Sequence, residues 1–282
     1  MFTQSQVREP DKAEFELFRH FLEDACGINL PQNKQYLIVS RVRKILAEHE
    51  ILGLTELVER LKRERFSKIR VQVVDAMTTN ETFWFRDVYP FEYLKTHIFP
   101  ELLKQDSRQR IRLWSAACSS GQEPFSLAMT VEEFKRSTMG VMKREVEILA
   151  TDLSPTMLAS AKSGEYDALS MGRGLSAERL GHFFDKGADG SHLVKPIIKR
   201  RIQFKPHNLK DSHAAMGKFD IIFCRNVLIY FSAELKTDII RRFHASLNPG
   251  GVLFLGSSEG IAGVSDLFDM VNCNPGIMYR AK

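Results

Sequence analysis

A run of small residues between a predicted strand and a predicted helix is the first place where this sequence could bind a ligand. The run covers residues 114–128 and includes Ala116 and Gly121. Small residues there let a ligand approach the backbone closely, and open α/β folds bind nucleotides at the carboxyl ends of their first strands. Gly121 is the only glycine of the run, so the GxGxxG spacing is absent. A tight turn that binds no ligand explains the run equally well.

Two later strand ends carry polar side chains that could contact the same ligand. Asp152 directly follows an apolar run, and a carboxylate at that position can accept hydrogen bonds from both hydroxyls of a ribose. The competing role is capping of a helix that begins near Pro155, although Ser154 could supply that cap instead. Asn226, followed by Val227, ends another apolar run, where a simple turn residue is the alternative to a ligand contact.

These residues need a sheet to bring them together, and the pattern after residue 110 predicts one. Short apolar runs alternate with helical patterns there, which is typical of βαβ units and a mostly parallel sheet. The predicted strands are 111–116, 147–151, 202–205, 219–224 and 252–256, followed by a terminal hairpin of 268–271 and 277–280. The glycine-rich and β-branched stretch at 181–205 predicts a small antiparallel insert.

The first ninety or so residues predict helices only. Phe18 and Leu22 recur on one face of a predicted helix at 11–25, and Asp11 with Glu14 could cap its start. Further helices are predicted at 34–50, 55–61 and 68–77. The sequence therefore predicts a small all-helical domain ahead of the sheet.

Composition excludes some classes of protein and locates the positive charge. No stretch approaches the roughly 18 uninterrupted apolar residues of a membrane span, and the N-terminus lacks the apolar core of a signal peptide, so we expect a cytoplasmic protein. The four cysteines lie far apart without zinc-ligand spacing, which predicts buried thiols and no metal. Residues 34–70 contain ten Lys or Arg against five Glu, whereas residues 1–33 contain three basic and six acidic groups. The positive charge is therefore concentrated in one segment.

Five ordered motifs resemble those of the CheR family of chemotaxis receptor methyltransferases. They are TTNETFWFRD at 78–87, WSAACSSGQEPFS at 114–126, ATDLS at 150–154, FCRNVLIYF at 223–231, and NPGG at 248–251 followed by LGSSE at 255–259. The resemblance runs from about Glu14 to the C-terminus. Gln122 stands where many relatives have Glu, and Trp84 lies in a run usually written with Phe. Neither departure touches a polar role that we assign.

The resemblance implies a Rossmann-like methyltransferase fold that depends on S-adenosylmethionine. Its sheet is seven-stranded and mostly parallel with a terminal antiparallel hairpin. We expect the helical domain and linker at 1–92 and the methyltransferase domain at 93–282, with the β insert at about 181–205. The implied reaction transfers a methyl group to glutamate side chains of methyl-accepting chemotaxis proteins and leaves S-adenosylhomocysteine, without a metal.

The resemblance also implies which residues form the site. The implied cofactor-binding residues are Asn80, Thr82, Arg86, Ala116, Gly121, Glu123, Asp152, Asn208, Leu209, Asn226 and Val227. Arg86 could grip the methionine carboxylate bidentately, with a surface ion pair as the alternative. The substrate glutamate, with a pKa of about 4.3, is already ionised at neutral pH, so no general base is needed. Tyr230 could orient that carboxylate, unless it is merely a core tyrosine.

The basic segment suggests where a partner would bind. Arg41, Arg43 and Lys44 could contact the acidic methylation helices of the cytoplasmic receptor domain, where complementary charge speeds encounter, or they could simply be solvated. The β insert resembles a family subdomain that in some members captures a receptor peptide, and a regulatory adaptor is a further possible partner. Membrane insertion is not expected, although recruitment to membrane receptor arrays is.

Two other classes of function stay open at this stage. A methyltransferase that acts on RNA or a small molecule would share the fold. An RNA enzyme should interleave aromatic with basic residues, but residues 34–70 contain only Tyr36 and Phe66, so no nucleic-acid partner is expected. A non-catalytic binding module would be favoured by loss of Arg86, Glu123 or Asp152, all of which are present.

Overall fold

The computed structural model describes residues 10–64, 67–105, 110–139 and 142–282, and these fall into two compact units. The first contains the described residues up to Thr79 together with Tyr230–Lys236, and the second contains those of Asn80–Ile229 and Thr237–Lys282. The linker after Thr79 belongs to the second unit because Trp84, Phe85 and Phe91 are buried in that unit's core. The division by contacts thus lies thirteen residues before the expected boundary at 92 (92 minus 79).

Four helices build the first unit in the part of the chain that the structure describes. They are α1 (Lys12–Cys26), α2 (Gln35–Glu48), α3 (Leu54–Arg63) and α4 (Lys68–Met77). The predicted capping box is present: the Glu14 N–H donates to Asp11 Oδ1 at 2.9 Å, and the Asp11 N–H donates to Glu14 Oε2 at 3.3 Å. The apolar stripes on α1 and α2, with Phe18 and Val42 fully buried, form the core.

The segment Tyr230–Lys236 completes the first unit. Gly27 ends α1 in the left-handed region, with φ +80°, and a Cβ there would lie 2.4 Å from the Leu235 side chain. The Asn29 N–H also donates to the Tyr230 carbonyl at 2.8 Å. Gly27 therefore ends α1 and also makes room for a segment about two hundred residues further along the chain.

The second unit is built on a seven-stranded sheet with the order β6-β2-β1-β7-β8-β10-β9. Its strands are β1 (Ile111–Ala116), β2 (Val146–Asp152), β6 (Ile202–Pro206), β7 (Phe219–Cys224), β8 (Leu247–Leu255), β9 (Phe268–Asn272) and β10 (Ile277–Ala281). Strands β6, β2, β1, β7 and β8 run parallel, and β10 pairs antiparallel with both β8 and β9. The expected mostly parallel sheet and terminal hairpin are confirmed.

Helices cover the sheet, as a parallel sheet buried on both faces requires. In this unit they are α5 (Tyr89–Tyr93), α6 (Phe99–Lys104), α7 (Gln122–Ser137), α8 (Pro155–Ser163), α9 (Ala168–Met171), α10 (Ala177–Phe183), α11 (Pro196–Lys199) and α12 (Ala233–Ser246), which begins in the first unit. A π-helical turn, Leu94–Ile98, joins α5 to α6. Helix α7 contributes Phe125, Leu127 and Val131 to the core.

The small antiparallel sheet differs in extent from the predicted insert at 181–205. It has the order β3-β5-β4, with β3 (Glu165–Tyr166), β4 (Phe184–Lys186) and β5 (His192–Val194). The insert thus begins earlier, because the two-residue strand β3 after α8 pairs with β5. The last part of the predicted stretch, 202–205, lies in β6 of the large sheet.

Candidate cofactor site

The carboxyl ends of the parallel strands bring Ala116, Asp152 and Asn226 to one edge of the sheet. The registers place Ala116 beside Thr151 and Cys224, and Cys224 beside Leu255. From β1 the chain proceeds to β2 and β6 on one side, whereas β7 and β8 lie on the other. Such a reversal opens a crevice at the carboxyl ends of the two central strands, which is where open α/β sheets bind ligands.

The loop after β1 is a compact left-handed turn. Ala117, Ser119 and Gly121 have φ values of +61°, +49° and +98°. A Cβ on Gly121 would lie 2.9 Å from the Ala161 Cβ and 3.0 Å from the Tyr166 hydroxyl oxygen. Glycine is therefore required here both by φ and by close packing on α8. The structural reason is independent of a ligand, so a cofactor contact at Gly121 stays a prediction.

Asp152 holds this loop in place. Its Oδ2 accepts the Ser119 N–H at 2.7 Å, its Oδ1 accepts the Ser154 N–H at 2.9 Å, and the residue is 7% exposed. The Ser154 hydroxyl oxygen accepts the Met157 N–H, so the cap of α8 comes from Ser154, as the sequence allowed. A ribose contact at Asp152 stays a prediction.

Glu123, the second residue of α7, is held from two sides. The Ser115 hydroxyl donates to its Oε1 at 2.7 Å, and Arg225 Nη1 lies 3.4 Å from its Oε2. Burial raises the pKa of Glu123, and the Arg225 guanidinium is the largest influence that lowers it. The other end of Arg225 pairs with Asp87. Sequence reasoning assigned no role to Arg225, although the residue directly follows an apolar strand and lies in the FCRNVLIYF motif.

The linker that contributes Arg86 forms a second left-handed turn. Phe85, Asp87 and Val88 have φ values of +48°, +66° and +55°, and the Phe85 N–H donates to Ser126 Oγ at 3.0 Å. Positive φ is costly for a β-branched residue such as Val88 and is found mainly where the surroundings impose it. The turn is thus held by its contacts.

Arg86 itself is only partly engaged. Its Nη1 donates to the Glu81 carbonyl at 3.3 Å, its guanidinium lies 5.1 Å from the centre of the Phe83 ring, and its charge lowers the pKa of Glu123. Asn80 lies against the loop after β1, because its carbonyl accepts the Ser119 hydroxyl at 2.9 Å, and Thr82 is half-buried.

Asn226 presents an unused acceptor at the end of β7. Its φ is +61°, its backbone N–H donates to Glu259 Oε2 at 2.7 Å, and its side-chain Oδ1 is buried without a hydrogen-bond partner. Glu259 Oε2 also accepts the Gly256 N–H at 2.8 Å, so Glu259 ties the ends of β7 and β8 together. Val227 follows, half-buried. Glu259 is the last residue of the LGSSE motif, but the sequence did not indicate its role.

Asn208 and Leu209 follow β6 at the same edge. The His207 N–H donates to the Asp152 carbonyl at 3.0 Å, which continues the pairing of the two strands into this loop. Asn208 Oδ1 accepts the Lys210 N–H at 3.1 Å, and Leu209 is 5% exposed. Both residues therefore lie next to the strand end that carries Asp152.

The remaining predicted residues belong to the first unit. Tyr230 is half-buried within it. The Arg41 guanidinium donates to the carbonyls of Met77 and Thr78 at 2.9 and 3.0 Å and caps the end of α4, so it is not simply solvated. A receptor contact by Arg41 stays a prediction. Arg43 is half-buried, and the Lys44 side chain is 77% exposed.

The side chains at the sheet edge fit the groups of S-adenosylmethionine. A carboxylate suits the ammonium of the methionine end, a guanidinium suits its carboxylate, and the orphaned Asn226 oxygen requires a donor that the cofactor can supply. Among the residues that the structure describes, no group of three His, Cys, Asp or Glu could hold a metal ion. The fold and the site define an S-adenosylmethionine-dependent methyltransferase.

Comparison with known proteins identifies the family. The CheR methyltransferase SAM binding domain matches residues 80–277, and the CheR methyltransferase all-alpha domain matches residues 13–78. The chain belongs to the CheR methyltransferase family, as the motifs predicted.

The curated relatives agree over nearly the whole chain. Chemotaxis protein methyltransferase 1 of Pseudomonas aeruginosa is 57% identical over 96% of this chain and 98% of its own length. Chemotaxis protein methyltransferase Cher2 of Pseudomonas putida is 56% identical over 95% and 98%. The chemotaxis protein methyltransferase of Vibrio parahaemolyticus is 49% identical over 95% and 97%.

Proposed function

We propose that this protein transfers a methyl group from S-adenosylmethionine to glutamate carboxylates in the cytoplasmic domain of a chemoreceptor. The products are glutamyl methyl esters, which adapt chemotaxis signalling, and S-adenosylhomocysteine. The observation that carries the proposal is the match of both family domains, at 13–78 and 80–277, together with relatives named chemotaxis protein methyltransferases that align over almost their full length.

The chemistry requires alignment and not proton transfer by the enzyme. A glutamate substrate with a pKa of about 4.3 is already an anionic nucleophile at neutral pH. The methyl carbon of a sulfonium is activated when the cofactor is bound, and the protein must orient the carboxylate and exclude water. Consistent with this, burial raises the pKa of the Cys118 and Cys224 thiols well above the ordinary value, so neither is a ready nucleophile.

We assign the cofactor to the carboxyl edge of the second unit's sheet. Arg86, with Asn80 and Thr82, would hold the methionine carboxylate, while Glu123 and Asp152 would bind the ammonium and the ribose. The adenine and the wall of the site would be contacted by the remaining expected residues, Ala116, Gly121, Asn208, Leu209, Asn226 and Val227. Tyr230 would orient the substrate carboxylate.

The receptor would be met by the basic surface of the helical unit. Lys44 is the best placed of the three expected residues, since its side chain is 77% exposed, whereas Arg41 is occupied at the end of α4. Complementary charge would speed the encounter with acidic receptor helices. We further propose that the protein is recruited to membrane receptor arrays. The small β-sheet would tether it to a receptor peptide, and a regulatory adaptor would be a further partner. Among the described residues, no helix has the length and apolar character needed to cross a membrane.

Incubation of receptor-containing membranes with methyl-labelled cofactor tests the proposal. We expect base-labile label on the receptor, because esters hydrolyse in base whereas N-methyl groups persist. A receptor whose acceptor glutamates are changed to glutamine serves as the control and should stay unlabelled. Label on RNA or on a small molecule, or base-stable label on the receptor, would contradict the assigned substrate.

A further inference from the structure

Arg225 is a buried cation at the end of β7 that contacts two separate parts of the site. Its side chain is 1% exposed, compared with 13% for Glu123 and 33% for Asp87, the two carboxylates with which it pairs. Burying a guanidinium is expensive unless it is paired, and breaking such a pair leaves an uncompensated charge. A buried arginine between two carboxylates therefore fixes both of them firmly.

Both carboxylates belong to the proposed cofactor site: Glu123 is itself a proposed cofactor-binding residue, and Asp87 is adjacent to another, Arg86. Glu123 is clamped between Arg225 and the Ser115 hydroxyl. Asp87 lies in the left-handed turn beside Arg86, and the pairing with Arg225 is one of the contacts that hold this turn against its unfavourable φ values. Arg225 thus connects the start of α7 with the linker turn.

We propose that Arg225 is a positioning residue of the cofactor site, which fixes Glu123 and the turn that carries Arg86 so that the two grip the ammonium and the carboxylate of the cofactor's methionine end. The inference rests on the proposed function, because it takes S-adenosylmethionine as the ligand. Arg225 acts through these two residues and needs no contact of its own with the cofactor.

The same contact has a consequence for pH dependence. Burial raises the pKa of Glu123, and it is lowered chiefly by Arg225, then by the Ser115 hydrogen bond and by Arg86. The nearby thiols of Cys118 and Cys224 are neutral, since burial raises their pKa values well above normal. The charge of Asp152 raises the pKa of Cys118 further, and that of Glu259 raises the pKa of Cys224. Without Arg225 the pKa of Glu123 rises further, so the carboxylate is protonated, and ammonium binding is lost, from a higher pH downward.

Two substitutions and a matched control test the inference through binding of S-adenosylhomocysteine. Arg225→Gln removes the charge, and Arg225→Lys keeps the charge but not the fork that spans two carboxylates. Arg201 supplies the control, since its side chain is 7% exposed and pairs with Glu132. Arg201 directly precedes β6 and therefore lies at the amino ends of the parallel strands, opposite the carboxyl ends that form the site. Arg201→Gln removes another largely buried ion pair, away from the site.

Calorimetric affinities from about pH 5.5 to 8.5 give the result. We expect Arg225→Gln to weaken binding by roughly 10- to 100-fold at neutral pH and to move the loss of affinity on acidification to higher pH, and Arg225→Lys to weaken binding with a profile close to that of the unmodified protein. Arg201→Gln should lower the melting temperature but leave the affinity and its profile unchanged.

Wild-type affinity and an unshifted profile in folded Arg225→Gln would overturn the inference. If that variant does not fold, wild-type affinity in Arg225→Lys would overturn it instead, and weakened binding in Arg225→Lys would support it. Equal weakening in Arg201→Gln would show that any buried pair has this effect and would also overturn it. Failure of the unmodified protein to bind S-adenosylhomocysteine would instead refute the proposed function.

Discussion

Replacing Asp152 with Asn tests whether this side chain both builds the loop after β1 and binds the cofactor. The carboxylate accepts the N–H groups of Ser119 and Ser154, one on each oxygen. An amide has one acceptor oxygen, so its NH2 must face one of these donors and leave a buried N–H unsatisfied. That penalty is about 1 to 3 kcal/mol of folding free energy.

The cofactor should lose a charged acceptor at the same time. A hydrogen bond to a charged group contributes about 1.5 to 3 kcal/mol, which corresponds to roughly 10- to 100-fold weaker binding of S-adenosylhomocysteine. Calorimetry measures this affinity, and denaturant unfolding measures the loss of stability. We expect both to change in Asp152→Asn.

Asp167 provides the matched control for this prediction. It is an exposed residue whose Oδ1 accepts the Ser170 N–H at 2.7 Å and caps α9 in the same unit. Asp167→Asn should leave cofactor affinity unchanged. If folded Asp152→Asn bound S-adenosylhomocysteine as tightly as the unmodified protein, Asp152 would be a loop-building residue only and the ribose assignment would be wrong.

Three further predictions concern other parts of the chain. Lys44→Glu should slow receptor methylation, most at low salt, without changing cofactor affinity. Arg41→Ala should lower the melting temperature, because it removes the cap of α4. Methylation by Lys44→Glu at the rate of the unmodified protein at all salt concentrations would refute the charge contact. Tyr230→Phe should reduce the methylation rate by at most roughly 100-fold, and the rate should stay independent of pH through neutrality. Complete loss of turnover with unchanged cofactor affinity would contradict a hydroxyl that only orients the substrate. Burial lowers the pKa of His213 to about 4, below its unfolded value of about 6.5. Between these values the unfolded state binds a proton that the folded state excludes. The free energy of unfolding should therefore fall by up to about 3 kcal/mol as the pH is lowered from about 6.5 to about 4. Unfolding measured across this range should be flatter in His213→Phe, and an identical slope would refute the assignment.

The sheet was predictable because its central strands are continuous apolar runs. Strands β1 and β7 have the predicted bounds, since every residue from Leu113 to Ala116 and from Ile221 to Cys224 is buried and apolar or small. Strand β8 begins five residues earlier than the predicted start at 252, at Leu247. Its first residues include Pro249 and Gly250, which indicate a turn by local propensity, so only pairing across the sheet could reveal the extension.

The location of the candidate site was predictable from the sequence, whereas the contacts of its residues were not. The rule that ligands bind at the carboxyl ends of strands located Asp152 and Asn226 without any knowledge of side-chain geometry. An arginine in sequence, by contrast, does not indicate whether it is solvated or buried. Arg225 is buried beside Glu123, and Arg41 bonds to carbonyls 36 and 37 residues away, so their roles follow only from tertiary structure.

Because Tyr230–Lys236 belongs to the helical unit, the chain cannot be divided into its two units by a single cut. A cut after Thr79 would leave the N-terminal fragment without the segment against which Gly27 packs, and would expose Phe231 and Leu235 on the remaining fragment. Apolar surface uncovered in this way favours aggregation. The helical unit is thus not a cassette that can be exchanged between relatives at a single junction, and a functional chimera would have to carry both segments from one parent.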